Sequence, residues 1–283
     1  MVILRPFRIA QYIMKKIFRN YKAWALITGA ASGMGRIYAL RLASMGYNLV
    51  IVDINSKGLD ETSSMVGESS PQAKVLPVVQ DLSAMDAADR IYEFTEAAGC
   101  EVEVLVNNAG IMYCQGLAET SERMLKLIMM VHMNTPLMIC RKYVGGMKER
   151  GCGYILNISS LAAWMIWPGI GMYGVTKRFV RNYSLELRIE CQKTGVSVTN
   201  AYFGAVDTPL IPLKESLRKL ARGLAVMIRP EKAVEKALGA TFRRRKGVMP
   251  GLLNKIFLPF VIIMPDCLLG WIYRKAKPYL MKV

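Results

Sequence analysis

The 283-residue chain has one histidine, His132, and no Cys-x-x-Cys pair among its six cysteines. A single imidazole excludes a zinc site built from several histidines, and any Ser-His-Asp arrangement would have to use that residue. His132 lies in the apolar run 127–134, where a packed helix histidine is the expected reading. The thiols, at 100, 114, 140, 152, 191 and 267, are too scattered for a disulfide framework or metal site. They read as small buried apolar groups in a reduced compartment. Also missing is an uninterrupted apolar run of about 20 residues, the length a helix needs to cross a ~30 Å hydrocarbon layer. Residues 151–176 carry no charge, but Asn157, Ser159, Ser160, Pro168 and five glycines interrupt them. That pattern reads as a strand, a loop and a helix start. Residues 256–265 form a charge-free run of ten that contains two prolines.

Acidic residues are scarce at both ends. The formal net charge is +17, with 38 basic and 21 acidic side chains. Residues 1–22 hold six bases and no acid, residues 214–283 hold sixteen bases and four acids, and residues 23–213 hold 16 and 17. The body is therefore near neutral. A basic total of this kind does not describe a phosphate-lined groove, and no nucleic-acid partner is expected. In residues 3–22, Ile3, Phe7, Ala10, Met14, Ile17 and Tyr21 recur at spacings of four and three beside a basic stripe. This is the pattern of an amphipathic helix lying on an anionic membrane surface. Charges interrupt any signal-peptide core, and a mitochondrial leader is the weaker reading because serine is missing. The organisation expected is a basic amphipathic helix over 1–22, a catalytic domain over 23–250, and an apolar and basic tail over 251–283. The tail would associate with a membrane or another copy of the chain. The location expected is cytoplasmic, peripheral to a membrane.

Hydrophobic content of 53% allows a large core. Short β-rich runs at 23–28, 48–53, 73–79, 102–106, 154–158 and 196–201 alternate with longer helical patterns. Runs buried on both faces and separated by helices imply a parallel α/β sheet. The first run enters the glycine-rich turn Gly29-Ala30-Ala31-Ser32-Gly33-Met34-Gly35, and a helix follows. Such a turn brings backbone N–H groups and the positive helix end to a pyrophosphate. The second run ends at Asp53, about 20 residues on, where a carboxylate would accept the ribose hydroxyls and repel a 2′-phosphate. No base follows it immediately, so NAD(H) is expected over NADP(H), with Arg36 the one residue that could accept a phosphate.

Chemistry enters with Ser159-Ser160 and Tyr173-x-x-x-Lys177, which places a phenol and an ammonium one helical turn apart. A nearby ammonium favours phenolate and would bring Tyr173 toward neutral-pH proton exchange. Tyr12/Lys16 and Tyr273/Lys277 share the spacing, but only Tyr173 follows a strand ending in paired serines.

In order and spacing, T-G-x-x-x-G-x-G, Asp53, Asp81, Asn107-Asn108-Ala109-Gly110, Asn134, the serine pair and Y-x-x-x-K resemble the short-chain dehydrogenase/reductase family over roughly residues 23–250. The resemblance implies a Rossmann-like doubly wound parallel sheet of about seven strands with helices on both faces. It also implies hydride transfer between a nicotinamide and a ketone or secondary alcohol. Carried over position by position, Ser160 polarises the substrate oxygen and Tyr173 is the general acid/base. Lys177 lowers the tyrosine pKa and holds the nicotinamide ribose, and Asn134 keeps a proton-relay water. Gly29, Ser32, Gly33, Met34, Gly35, Asp53, Asp81, Leu82, Asn108, Ala109, Gly110, Tyr173, Lys177, Val206 and Thr208 would contact the cofactor. Met112, Trp164, Trp167, Phe203, Leu210 and Leu213 would line the substrate cleft, with Phe203 standing where the family usually has proline. That apolar wall suits a lipid or sterol ketone. The segment from Pro250 onward more loosely resembles the membrane-associated branch that reduces 3-oxoacyl groups, 3-ketosphinganine or 17-ketosteroids. A dehydrogenase of a small polar metabolite and a cofactor-binding scaffold without turnover are the alternatives, and dimeric or tetrameric assembly stays open.

Overall fold

The computed structural model describes residues 22–113, 115–166, 170, 172–208 and 227–280. The expected amphipathic segment 1–22 lies outside them except for Lys22. Alternate residues of each central strand enter two different cores, as a sheet covered on both faces requires. In β1 (Trp24–Thr28), Ala25 and Ile27 join one core while Trp24 and Leu26 join the other. In β2 (Asn48–Asp53), Leu49 and Ile51 point to the first core, and Val50 and Val52 to the second.

The first core is closed by helices α1 (Gly33–Ser44), α2 (Ser56–Ser69) and α7 (Pro230–Phe242), through side chains such as Tyr38, Leu42, Leu59 and Val234. The second is closed by α3 (Ala87–Ala97), α5 (Thr135–Glu149) and α6 (Tyr173–Glu190), through Ile91, Ile139, Tyr143, Val180 and Tyr183. A Lys142–Asp89 ion pair joins α5 to α3.

The remaining strands of the main sheet are β3 (Val75–Val79), β4 (Val102–Asn107), β5 (Gly153–Ser160), β6 (Val196–Phe203) and β9 (Gly247–Val248). The sheet is parallel throughout, in the order β3-β2-β1-β4-β5-β6-β9. It has the seven strands and two helical faces expected from the sequence. Strand β3 carries Pro77 and exposes Val79, which suits its place at the sheet edge. A separate short pair joins β7 (Ala205–Val206) to β8 (Met227–Ile228).

From β1 the chain builds the sheet outward through β2 and β3, then returns to add β4 on the other side of β1. The loops leaving β1 and β4 therefore diverge at their C-terminal ends and open a crevice, the usual ligand position in such a sheet. Beyond α7 come α8 (Leu252–Ile262) and α9 (Asp266–Leu280). Among the described residues no helix is long and apolar enough to cross a membrane.

Candidate active site

The crevice begins where β1 ends at Thr28. Gly29 and Gly33 adopt φ of +69° and +53°, a conformation other residues take only with strain. A methyl group on Gly35 would lie 1.8 Å from the carbonyl oxygen of Gly29. Only glycine there lets α1 close onto the turn. Ser32 precedes the helix in an extended conformation, and no acid occupies the first helical turn, so the unpaired N–H groups keep their positive potential.

The two diverging loops are clasped together. Thr28 Oγ1 accepts the N–H groups of Asn108 and Ala109, both at 3.1 Å, while Asn108 Nδ2 donates to the carbonyls of Thr28 (3.0 Å) and Gly29 (3.2 Å). Asp53 lies at the outer rim: Oδ2 accepts the Ala31 N–H and Oδ1 accepts the Asn55 N–H, each at 3.1 Å. Arg36 points to the far side of the turn. Its guanidinium is taken by Glu61 (2.8 Å), Thr62 (3.0 Å) and the carbonyl of Ala31. Asp81 accepts both the N–H and the hydroxyl of Ser83, and the Leu82 carbonyl accepts Thr135 Oγ1 at 2.7 Å.

Next to the glycine turn is a cavity of about 610 Å³ whose wall includes Met34, Asn108, Gly110, Met112, Ser160, Met165, Ile170, Tyr173, Lys177, Phe203, Val206 and Thr208. The paired serines divide their work. Ser159 Oγ donates to the Lys177 carbonyl at 2.9 Å and so anchors helix α6. Ser160 Oγ accepts the Ala162 N–H (3.1 Å) and donates to the Phe203 carbonyl (3.3 Å) at the last rung of the β5–β6 ladder. Tyr173 opens α6 and Lys177 follows one turn later. Lys177 Nζ lies 5.7 Å from the Tyr173 ring centroid and donates to the Ile158 carbonyl at 3.0 Å.

Spacing alone suggested that the ammonium would lower the Tyr173 pKa. In the structure burial dominates both groups. It raises the Tyr173 phenol, with the neighbouring Ser160 hydroxyl opposing, and lowers the Lys177 ammonium to about 8. At neutral pH the pair is therefore a neutral phenol beside a charged amine.

Of the residues expected on the cofactor side, Met34, Asn108, Gly110, Val206 and Thr208 reach the cavity wall. Gly29, Ser32, Gly33, Gly35, Asp53 and Ala109 surround the adjoining turn. Asp81 and Leu82 follow β3. Met112 and Phe203, expected on the substrate side, also line this cavity. Trp164, expected there too, is turned away: it packs edge-on to Tyr202 (5.7 Å) beneath the Arg181 guanidinium (3.8 Å). The short 3₁₀ turn Leu161–Trp164 rotates it off the wall. Trp167, Leu210 and Leu213 lie outside the described residues. Met165 and Ile170 line the cavity, and their only signal in the sequence is the apolar character of the loop after Ser160.

Neither Asn134 nor His132 is on the wall of this cavity. His132, 1% exposed, lines a small neighbouring cavity together with Lys177, and its Nε2 accepts the Ile111 N–H at 2.9 Å. It is the packed histidine expected, and it also touches the machinery. No group of three or more His, Cys, Asp or Glu side chains suited to a metal ion occurs among the described residues.

A hydroxyl, a phenol and an ammonium thus converge on an apolar cavity beside a glycine-lined helix N-terminus. The glycines permit a close backbone approach, and the carboxylate sits one strand away. These residues fit a dinucleotide, and the three polar groups can hold a carbonyl oxygen and pass it a proton.

Comparison with known proteins agrees with this reading. The family model described as short chain dehydrogenase matches residues 23–217. A very-long-chain 3-oxoacyl-CoA reductase-like protein of Arabidopsis thaliana is 31% identical over 200 residues, covering 69% of this chain and 64% of that protein. A 17-beta-hydroxysteroid dehydrogenase type 3 of Danio rerio is 34% identical over 193 residues, covering 66% and 62%. The matches therefore span a little under two thirds of these relatives. In fold, the chain is similar to a solved 7beta-hydroxysteroid dehydrogenase, with a TM-score of 0.77 at 23% identity over 86% of this chain and 93% of that one.

Proposed function

The chain belongs to the short-chain dehydrogenase/reductase family, and from that premise we propose that it is a nicotinamide-dependent reductase of long-chain or steroid ketones. The observation that carries the proposal is the convergence of Ser160, Tyr173 and Lys177 on one cavity beside the Gly29–Gly35 turn. The cofactor, when bound, supplies the hydride. Gly29, Gly33, Gly35 and Asp53 would hold its adenosine and pyrophosphate half, and Lys177 would hold the nicotinamide half.

The Ser160 hydroxyl, which here donates to the Phe203 carbonyl, turns to the ketone oxygen when substrate binds and fixes it against Tyr173. Tyr173, neutral because of burial, gives its proton to that oxygen as negative charge develops there. Lys177 stabilises the phenolate left behind. Lys177 is the one charged side chain among the described residues of the cavity wall, so the wall offers a small acid no second clamp. Met112, Met165, Ile170 and Phe203 instead suit an acyl chain or a ring system. Oxidation of NADH followed with long-chain 3-oxoacyl-CoA, a 17-ketosteroid and short polar ketones tests this. Turnover confined to the first two supports the proposal. Turnover confined to the short ketones contradicts it.

NAD(H) is the preferred cofactor in this reading. Asp53, at the end of β2 and bonded to the Ala31 N–H of the glycine turn, would meet the ribose there, and Arg36 is already committed to Glu61, Thr62 and Ala31. Asp53→Ala should weaken NADH binding and raise the NADPH/NADH preference about tenfold or more, on the order of 1.4 kcal/mol. Fluorescence titration with both nucleotides checks this, and an unchanged preference would remove Asp53 from the role.

The protein attaches peripherally to a membrane, with the cytoplasm as its compartment. In and around α8 and α9, Ile256, Phe260, Ile262, Ile263, Leu268 and Trp271 are all exposed, and Arg274 and Lys275 are exposed beside them. Asn254 of α8 sits against Gly204 on the cavity wall, where a methyl on that glycine would be 2.8 Å from Nδ2. The apolar helices therefore leave the body next to the cavity. Replacing Phe260 and Ile263 by serine should lower binding to anionic phosphatidylserine vesicles about tenfold or more, given ~1.5–3 kcal/mol per buried large side chain. Salt should weaken the binding of the unaltered chain. Vesicle binding unchanged by the substitutions, or a dimer lost with them, would assign this surface to self-association instead.

A further inference from the structure

His132 lies in Met130–Asn134, a five-residue stretch between α4 (Glu122–Met129) and α5 where the helix widens to i→i+5 bonding. The His132 ring in this stretch is wedged between the Ile111 turn and helix α6.

Nε2 accepts the Ile111 N–H at 2.9 Å, so that nitrogen carries no proton. The proton of the neutral ring is then on Nδ1, which donates to Thr176 Oγ1 at 2.9 Å. The Thr176 hydroxyl passes its own hydrogen to the carbonyl of Tyr173, again at 2.9 Å. Every donor in this relay has one acceptor. The ring also stands edge-on to the Tyr173 phenol, centroids 5.7 Å apart. A methyl group on Gly110 would sit 3.0 Å from Nε2 and 3.6 Å from Lys177 Nζ, so the three residues share one packed corner.

We infer that His132 is a positioning residue, tying the turn at Gly110 and Ile111 to the helix that presents Tyr173 and Lys177. The inference rests on the nicotinamide reading for its consequence and not for its geometry. The titratable groups around the ring are Tyr173 and Lys177 of α6, with Tyr183 on the wall of a small cavity that His132 and Lys177 also line. A second proton on the imidazole would face the Ile111 N–H and add a positive charge beside Lys177. Burial first, and Lys177 second, hold the ring's pKa well below its ordinary value. His132 therefore acts as a fixed neutral acceptor and not as an acid or base.

Because the chain has one histidine, ¹⁵N-histidine labelling of the full-length, untagged protein reports on this ring alone. The expected spectrum has a protonated Nδ1 and a bare Nε2, unchanged as pH falls from about 8 to about 5.5. A protonated Nε2, or titration near the ordinary value of about 6.5, would overturn the inference. In a second arm, His132→Leu removes the acceptor, and His132→Asn restores one in its amide oxygen. NADH affinity, read by fluorescence, should fall about tenfold in the first and recover in part in the second. Leucine binding NADH as tightly as asparagine or the unaltered chain would reduce His132 to packing. If His132→Leu does not fold, Thr176→Val keeps the ring and cuts its link to Tyr173. It should move the Nδ1 resonance and weaken NADH binding, and leaving both unmoved would also overturn the inference. Failure of the unaltered chain to bind NADH would instead remove the cofactor reading, and the nitrogen spectrum would still decide the relay.

Discussion

Tyr173→Phe is expected to lower turnover by about 10²- to 10⁴-fold, the range for losing a positioned proton donor. NADH binding should stay within a few-fold of the unaltered chain. The ring sits edge-on to His132 and its backbone carbonyl accepts Thr176. Phenylalanine preserves both contacts and the shape of the cavity wall. Only the hydroxyl disappears, and with it the group whose burial keeps it protonated at neutral pH. Steady-state turnover and nucleotide titration on the same preparation separate the two effects. Turnover within tenfold of the unaltered chain would remove Tyr173 as the acid.

Lys177→Met is expected to abolish most turnover and yet raise the melting temperature at pH 7. The lysine is 5% exposed, donates to the Ile158 carbonyl, and has its pKa lowered to about 8. In the unfolded chain the same amine titrates near 10.4. A cation whose folded pKa lies below its unfolded one destabilises the fold in full below the folded value. That cost is lifted as pH rises from about 8 to about 10.4. At pH 7 it is on the order of 3 kcal/mol. Methionine fills the same stem volume without a charge. A gain of several degrees follows, at roughly 2–4 °C per kcal/mol for a domain of this size. The gain should shrink as pH rises through the same interval. A lower melting temperature at pH 7, or a difference independent of pH, would contradict the burial argument. A lysine that costs stability and stays charged is the trade expected where charge is needed for chemistry.

Much of the fold could be read from the chain because its strands are apolar on both faces and short. The runs at 48–53 and 196–201 correspond to β2 and to most of β6. The seventh strand, Gly247–Val248, could not be read: two residues carry no alternation, and their pairing with Asn200 and Ala201 is a tertiary contact. In the site, Ser160, Tyr173 and Lys177 were legible because their spacing follows a strand end and one helical turn.

His132 was legible only as a packed residue. The widened helix at Met130–Asn134 that brings its ring to Ile111 and Thr176 depends on where the i→i+5 bonds fall, and composition does not encode that. Trp164 illustrates a second limit. An aromatic residue in an apolar loop reads as a cleft wall, but its indole finds a cation–π partner in Arg181, on the side away from the cavity. The direction of the pKa shifts was also out of reach, since spacing reveals the pairing of phenol and amine but not their burial.

The most direct test of the central claim is the fate of a label. The chain, NADH carrying deuterium at the transferable C4 position, and a long-chain 3-oxoacyl-CoA or 17-ketosteroid are incubated together, and the alcohol is analysed by mass spectrometry. The expected result is one deuterium on the carbinol carbon in the product of the unaltered chain, and about 10²-fold less labelled product, or lower still, with Tyr173→Phe. An alcohol without label, or no alcohol from any ketone although NADH binds, would contradict hydride transfer at this site.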